Sequence, residues 1–122
     1  MLAEGSTPQA AEGQTALINS AWYRAFLRLD PAQALAQVRA PVLAINGAKD
    51  TQVAAEVNIP AIKAALAGNT DVTTVVVPDL NHLFQTARTG STAEYATIEE
   101  TIAPVALATI VDWTVAHAAK TK

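Results

Sequence analysis

His82 stands in the stretch VVVPDLNHLFQTARTGS, which runs from Val75 to Ser91 and in which Pro78 closes a β-rich run. Asp50 stands in NGAKDTQV, five residues beyond the end of the apolar run at Ile45, and His82 lies five residues beyond Val77. Ligand sites of open parallel sheets lie outside the carboxyl ends of the strands. Two such loops on neighbouring strands bring a carboxylate and an imidazole side by side. A carboxylate that accepts a hydrogen bond from one ring nitrogen fixes the tautomer and stabilises the imidazolium. The other nitrogen is then free to act as a base. The chemistry to expect is proton abstraction, with the Asp50 carboxylate orienting the ring and His82 as the base.

No hydroxyl stands out as the nucleophile. Ser91 opens Ser91-Thr-Ala-Glu94, the S-x-x-E pattern of a helix capping box. Ser20 reads as a cap before Trp22, and Ser6 sits in a polar leader. Thr51, Thr86 and Thr89 flank the two key residues but are weak nucleophiles without an oxyanion hole. A His–Asp pair can instead activate water. That gives slow hydrolysis of activated esters, because oxyanion stabilisation is usually the larger share of catalysis. His117 falls at the end of the last helix, where a cation is welcome against the dipole. Glu94, Glu99 and Glu100 read as a solvated helix face, with no histidine spaced to complete a metal site. No metal or organic cofactor is implied.

The elements that position these residues follow from periodicity and punctuation. Residues 1–14 are rich in Gly, Ser, Thr, Pro, Glu and Ala and read as a flexible leader. Residues 15–122 read as one domain. Leu17, Ile18, Trp22, Tyr23, Phe26, Leu27 and Leu29 recur at helical spacings, and Asp30-Pro31 ends that run and starts a short helix through Gln37. Val42 to Ile45 is a continuous apolar run, as in strands buried on both faces. Asn58 caps a helix with Pro60 in its first turn, and Gly68 ends it. Val72 to Val77 is a strand by β-branching. The chain ends in a long helix from Pro104 to about His117, with Leu107, Ile110, Val111, Thr114 and Ala118 lining one face. Strand, helix and strand from Val42 to Val77 make a βαβ unit, so the fold class is α/β with parallel strands and flanking helices.

Composition narrows the function classes. A chain of 122 residues suits one domain of modest core. A net charge of −3 with no Lys/Arg run argues against a nucleic-acid partner. No apolar stretch reaches membrane-spanning length and no signal peptide opens the chain, which reads as a soluble cytoplasmic protein. With no cysteine, disulfides, thiolate metal sites and a cysteine nucleophile are excluded.

The runs SAWYRAFLRLDP, PVLAINGAKD, NIPAIKAAL and LNHLFQTARTGSTAEYATIEETI resemble the C-terminal part of α/β-hydrolases, and most closely the dienelactone-hydrolase and acylaminoacyl-peptidase-like subgroup. The likeness covers Ser20 to His117. It implies Asp50 as the triad acid, His82 as the triad histidine, and a small ester as substrate. The departure is equally specific: no G-x-S-x-G nucleophile elbow occurs, and a full domain of this kind needs roughly 200–300 residues. The resemblance therefore implies a partial α/β-hydrolase fold, weakly esterolytic unless self-association builds a site; the other reading is a non-catalytic interaction module. Two strands leave open sheet edges, which invite pairing with another chain. A homodimer or higher homo-oligomer is expected, through the Val42–Ile45 edge or the Trp22/Phe26 face.

Overall fold

The two β-branched and apolar runs pair as the sequence predicts. In a computed structural model that describes residues 7–119, β1 (Val42–Gly47) and β2 (Val72–Val77) form a two-stranded parallel sheet. The register runs from Val42 opposite Val72 to Gly47 opposite Val77. Both strands therefore end together, and the loops that carry Asp50 and His82 leave side by side. Helix α4 (Ala55–Ala65) connects the strands. The other elements, in chain order, are α1 (Pro8–Ile18), α2 (Ala21–Phe26), α3 (Pro31–Leu35), a 3-10 helix (Thr92–Thr97) and α5 (Pro104–Ala118). The chain is thus mixed α/β. No helix among the described residues is long and apolar enough to cross a membrane.

Chain contacts divide the described residues into two compact units, which part between Pro31 and Ala32. In the first unit, α1 begins at Pro8, inside the stretch read as a leader to residue 14. Thr7 caps it by accepting from the Ala10 amide at 3.2 Å, and Pro8 suits the first helical position, where no N–H is needed. Residues 1–6 of the expected leader lie outside the described residues. Ser20 caps α2 as expected, accepting from the Tyr23 amide at 3.1 Å. Trp22 and Phe26 stack at 5.7 Å on the exposed face of α2.

The second unit holds the sheet. Its core gathers Val77, Leu80, Ala103 and Ala106, with Ile45, Val75 and Phe84 packed against them. Among the described residues, four of the eight buried apolar ones are alanines, so the few large ones matter most. Truncating the fully buried Leu80 or Leu66 to alanine is expected to cost ~2–5 kcal/mol. Residues Val42 to Ile45 are only half-buried, and β2 is the one strand paired with β1 among the described residues.

Three local expectations change. Helix α4 starts at Ala55, not after Asn58, and carries Pro60 in its interior. Asn58 turns its amide to Asn46 Oδ1 at 2.9 Å instead of capping. Gly68 is not a left-handed cap: α4 ends at Leu66 with φ −92°, and Gly90 is the glycine with positive φ among the described residues. Helix α5 spans the predicted range, and its start is buried through small residues. Ala106 is fully buried and Trp113 donates from Nε1 to Thr73 Oγ1 at 3.0 Å. Leu107, Ile110 and Val111, from the apolar face expected on this helix, are 47%, 39% and 55% exposed. Small residues at 103 and 106 let the helix start lie close on Val77 and Leu80, and that contact sets its rotation.

Candidate active site

The site is built where β1 and β2 end. The β1 ladder runs on into the next loop: the Ala48 amide donates to Val77 O at 2.8 Å and the Lys49 amide to Leu80 O at 2.9 Å. Gly47 lies so close under the second loop that a Cβ there would collide with the carbonyls of Leu80 and Asn81. Side chains lock the two loops further. Lys49 Nζ reaches Ala87 O at 2.8 Å and Asp79 Oδ1 at 2.7 Å, and Thr51 Oγ1 donates to Gly90 O at 3.0 Å. Gly90, at φ +81°, packs its backbone against the Lys49 carbonyl, where a Cβ could not fit.

Asp50 and His82 meet between these loops. His82 Nδ1 lies 2.9 Å from Asp50 Oδ2. The other carboxylate oxygen, Oδ1, accepts from the amides of Gln52 at 3.0 Å and Val53 at 2.8 Å. The Asp50 side chain is 7% exposed, the His82 ring 39%. Burial pushes the Asp50 carboxyl up. The Val53 amide, the His82 hydrogen bond, the Gln52 amide and the nearby imidazolium charge outweigh it, and hold the carboxyl below its ordinary value. An ionised carboxylate can only accept, so Nδ1 carries a proton and Nε2 is the nitrogen left to take one.

The His82 loop is shaped by a buried polar hub at Asn81, which is 0% exposed. Its Oδ1 accepts from the amides of Leu83 at 2.9 Å and Gln85 at 3.0 Å, and its Nδ2 donates to Gln85 Oε1 at 3.0 Å. Gln85 Nε2 then reaches Glu100 O at 2.9 Å. The loop holds Phe84 at φ 58°, a left-handed conformation that costs a bulky residue ~1–3 kcal/mol. Phe84 stays there because its ring packs on the core and its carbonyl accepts from the Ala103 amide at 2.8 Å.

Of the hydroxyls weighed as nucleophiles, those of Ser20, Thr51, Thr89 and Ser91 are engaged elsewhere, and Ser6 lies outside the described residues. Ser91 accepts from the Ala93 amide at 3.3 Å and caps the 3-10 helix. The box is not the reciprocal kind: Glu94 takes the Thr89 hydroxyl at 2.7 Å and the amides of Thr89 and Gly90. The Thr89 hydroxyl bond, opposed by burial and helped by those amides and Arg88, holds the Glu94 carboxyl below its ordinary value. No hydroxyl among the described residues hydrogen-bonds to His82. An open apolar cavity of about 380 Å³ is lined by Ala48, Ala55, Glu56, Ile59, Pro60 and Val76; neither Asp50 nor His82 lines it. Among the described residues, no three His, Asp or Glu side chains gather as a metal site.

The structure brings together the two residues chosen from the sequence, and adds several that sequence spacing missed: Asn46, Gly47, Lys49, Asn81 and Gly90. A polar residue directly after a continuous apolar run was the available signal for Asn46. No family model, no curated protein and no solved structure matches the chain.

Proposed function

We propose that the chain is an esterase-like protein of α/β-hydrolase type, in which His82 is a general base oriented by Asp50. The observation that carries this reading is the 2.9 Å bond from His82 Nδ1 to a carboxylate already held by two backbone amides. His82 Nε2 takes a proton from water as its oxygen attacks an activated ester carbonyl. The imidazolium, stabilised by Asp50, returns that proton to the leaving oxygen, giving acid and alcohol. With no G-x-S-x-G in the sequence, water stands where a serine would, and turnover is slow. The test is hydrolysis of an activated aryl ester by the wild-type chain and His82→Ala. The variant is expected at buffer background, ~10²-fold or more below wild type; equal rates for the two refute the reading.

A second reading, self-association, is favoured by unpartnered apolar surface. Strand β1 has one neighbour, Trp22 and Phe26 are 66% and 52% exposed, and Val111 and Val115 of α5 are 55% and 63% exposed. Such surfaces mark interaction sites. Light scattering at micromolar concentration is expected to give at least a dimer; a folded monomer excludes this reading.

A further inference from the structure

Asn46 is the penultimate residue of β1, 4% exposed, at the end of a run of apolar side chains. Its amide touches the strand end, the acid turn and α4 at once. Nδ2 faces three oxygens: Val53 O at 3.0 Å, Gly47 O at 3.3 Å and Asp50 Oδ2 at 3.4 Å. Oδ1 accepts from Asn58 Nδ2 of α4 at 2.9 Å. The two backbone carbonyls fix this orientation, because a flipped amide would turn its oxygen toward acceptors.

The Val53 contact is the informative one. Val53 donates its amide to Asp50 Oδ1 at 2.8 Å and gives its carbonyl to Asn46. Asn46 thus closes the turn from which the carboxylate is held, and also touches Oδ2, the oxygen that bonds to His82. The residue type fits this pattern narrowly. A carboxylate at 46 would set a negative charge against three oxygens. An alanine would leave the Val53 carbonyl and the Asn58 amide without these bonds. Groups that orient the side chains directly engaged in a site are commonly worth 10–100-fold in function.

We propose that Asn46 is a positioning residue for the Asp50–His82 pair, closing the acid turn so that the carboxylate keeps the proton of the imidazole on Nδ1. The proposal rests on reading the pair as a base and its orienter. Its test compares the full chain as wild type, Asn46→Ala, Asn46→Asp and Asn58→Ala. The readouts are the ring-nitrogen NMR shifts of His82 at neutral pH, and kcat and KM for an activated aryl ester. Asn46→Ala is expected to lower the Nδ1–H share of the His82 ring and to reduce kcat about 10-fold with KM unchanged. Asn46→Asp is expected to do more, and Asn58→Ala less in the same direction. A folded Asn46→Ala chain with the wild-type ring spectrum overturns the proposal. If that variant does not fold, Asn58→Ala carries the test, and an unchanged ring spectrum there overturns it. A wild-type chain without turnover, whose Nδ1–H ring is still disturbed by Asn46→Ala, refutes the hydrolase reading and supports the positioning role.

Discussion

The molecule holds two histidine–aspartate pairs, and they are built in opposite senses. At the carboxyl end of the sheet, Asp50 is 7% exposed and His82 39%. The acid is fixed, and the ring meets it through Nδ1 alone. At the other end, Asp71 precedes β2. Its side chain is 40% exposed, while His117 on α5 is 15% exposed. There the ring is fixed: Nε2 lies 3.1 Å from Asp71 Oδ1 and Nδ1 2.8 Å from Trp113 O. It also stacks on the Trp113 ring at 4.0 Å. With both nitrogens engaged, His117 ties α5 to the start of β2. The same two residue types leave one ring nitrogen unengaged in one place and make a fastening in the other. What distinguishes them is which member is locked and whether a ring nitrogen is left over.

The largest expected contrast comes from removing each ring. His82→Ala should abolish ester turnover with little effect on stability. His117→Ala should keep wild-type turnover per folded molecule while costing ~1–3 kcal/mol in denaturant unfolding, for lost hydrogen bonds and stacking. Turnover lost equally in both would erase the distinction. Next, Gly47→Ala drives a methyl into the carbonyls of Leu80 and Asn81. It should cost ~1–3 kcal/mol and lower ester turnover by separating the loops, leaving the Asp71–His117 end intact. A folded variant with full turnover would show that the loop contact does not set the pair. The smallest effect is in acid. The Asp50 carboxyl is held below its ordinary value of 3.8, so its contribution to stability is full above that pH and is lost as pH falls through the depressed value. Asp50→Asn should flatten that part of the stability–pH curve, whereas Asp71→Asn should leave it in place.

Much of this was legible in sequence where local signals act alone. Both strands follow from their apolar and β-branched runs, and Asp50 and His82 follow from standing just past the strand ends. The rotation of α5 was not legible. That helix is apolar nearly all round, so periodicity offers several faces, and the contact of Ala103 and Ala106 with Val77 and Leu80 chooses among them. The start of α4 was hidden because Asn58 and Pro60 imitate a helix entry while Asn58 is engaged with Asn46. The need for glycine at 47 and 90 was not legible; it is steric and comes from backbone thirty or more residues away in sequence. The pairing of His117 with Asp71 was likewise invisible, since 46 residues separate them.

A base at this site requires that Asp50 hold His82 with its proton on Nδ1 and Nε2 bare. The most direct measurement is the ring-nitrogen NMR spectrum of His82 at a pH where the imidazole is neutral, in wild type and Asp50→Asn. The expected result is the Nδ1–H tautomer in wild type and a shift toward Nε2–H in the variant. A wild-type ring in the Nε2–H form would contradict it, because the nitrogen assigned to accept a proton would already carry one.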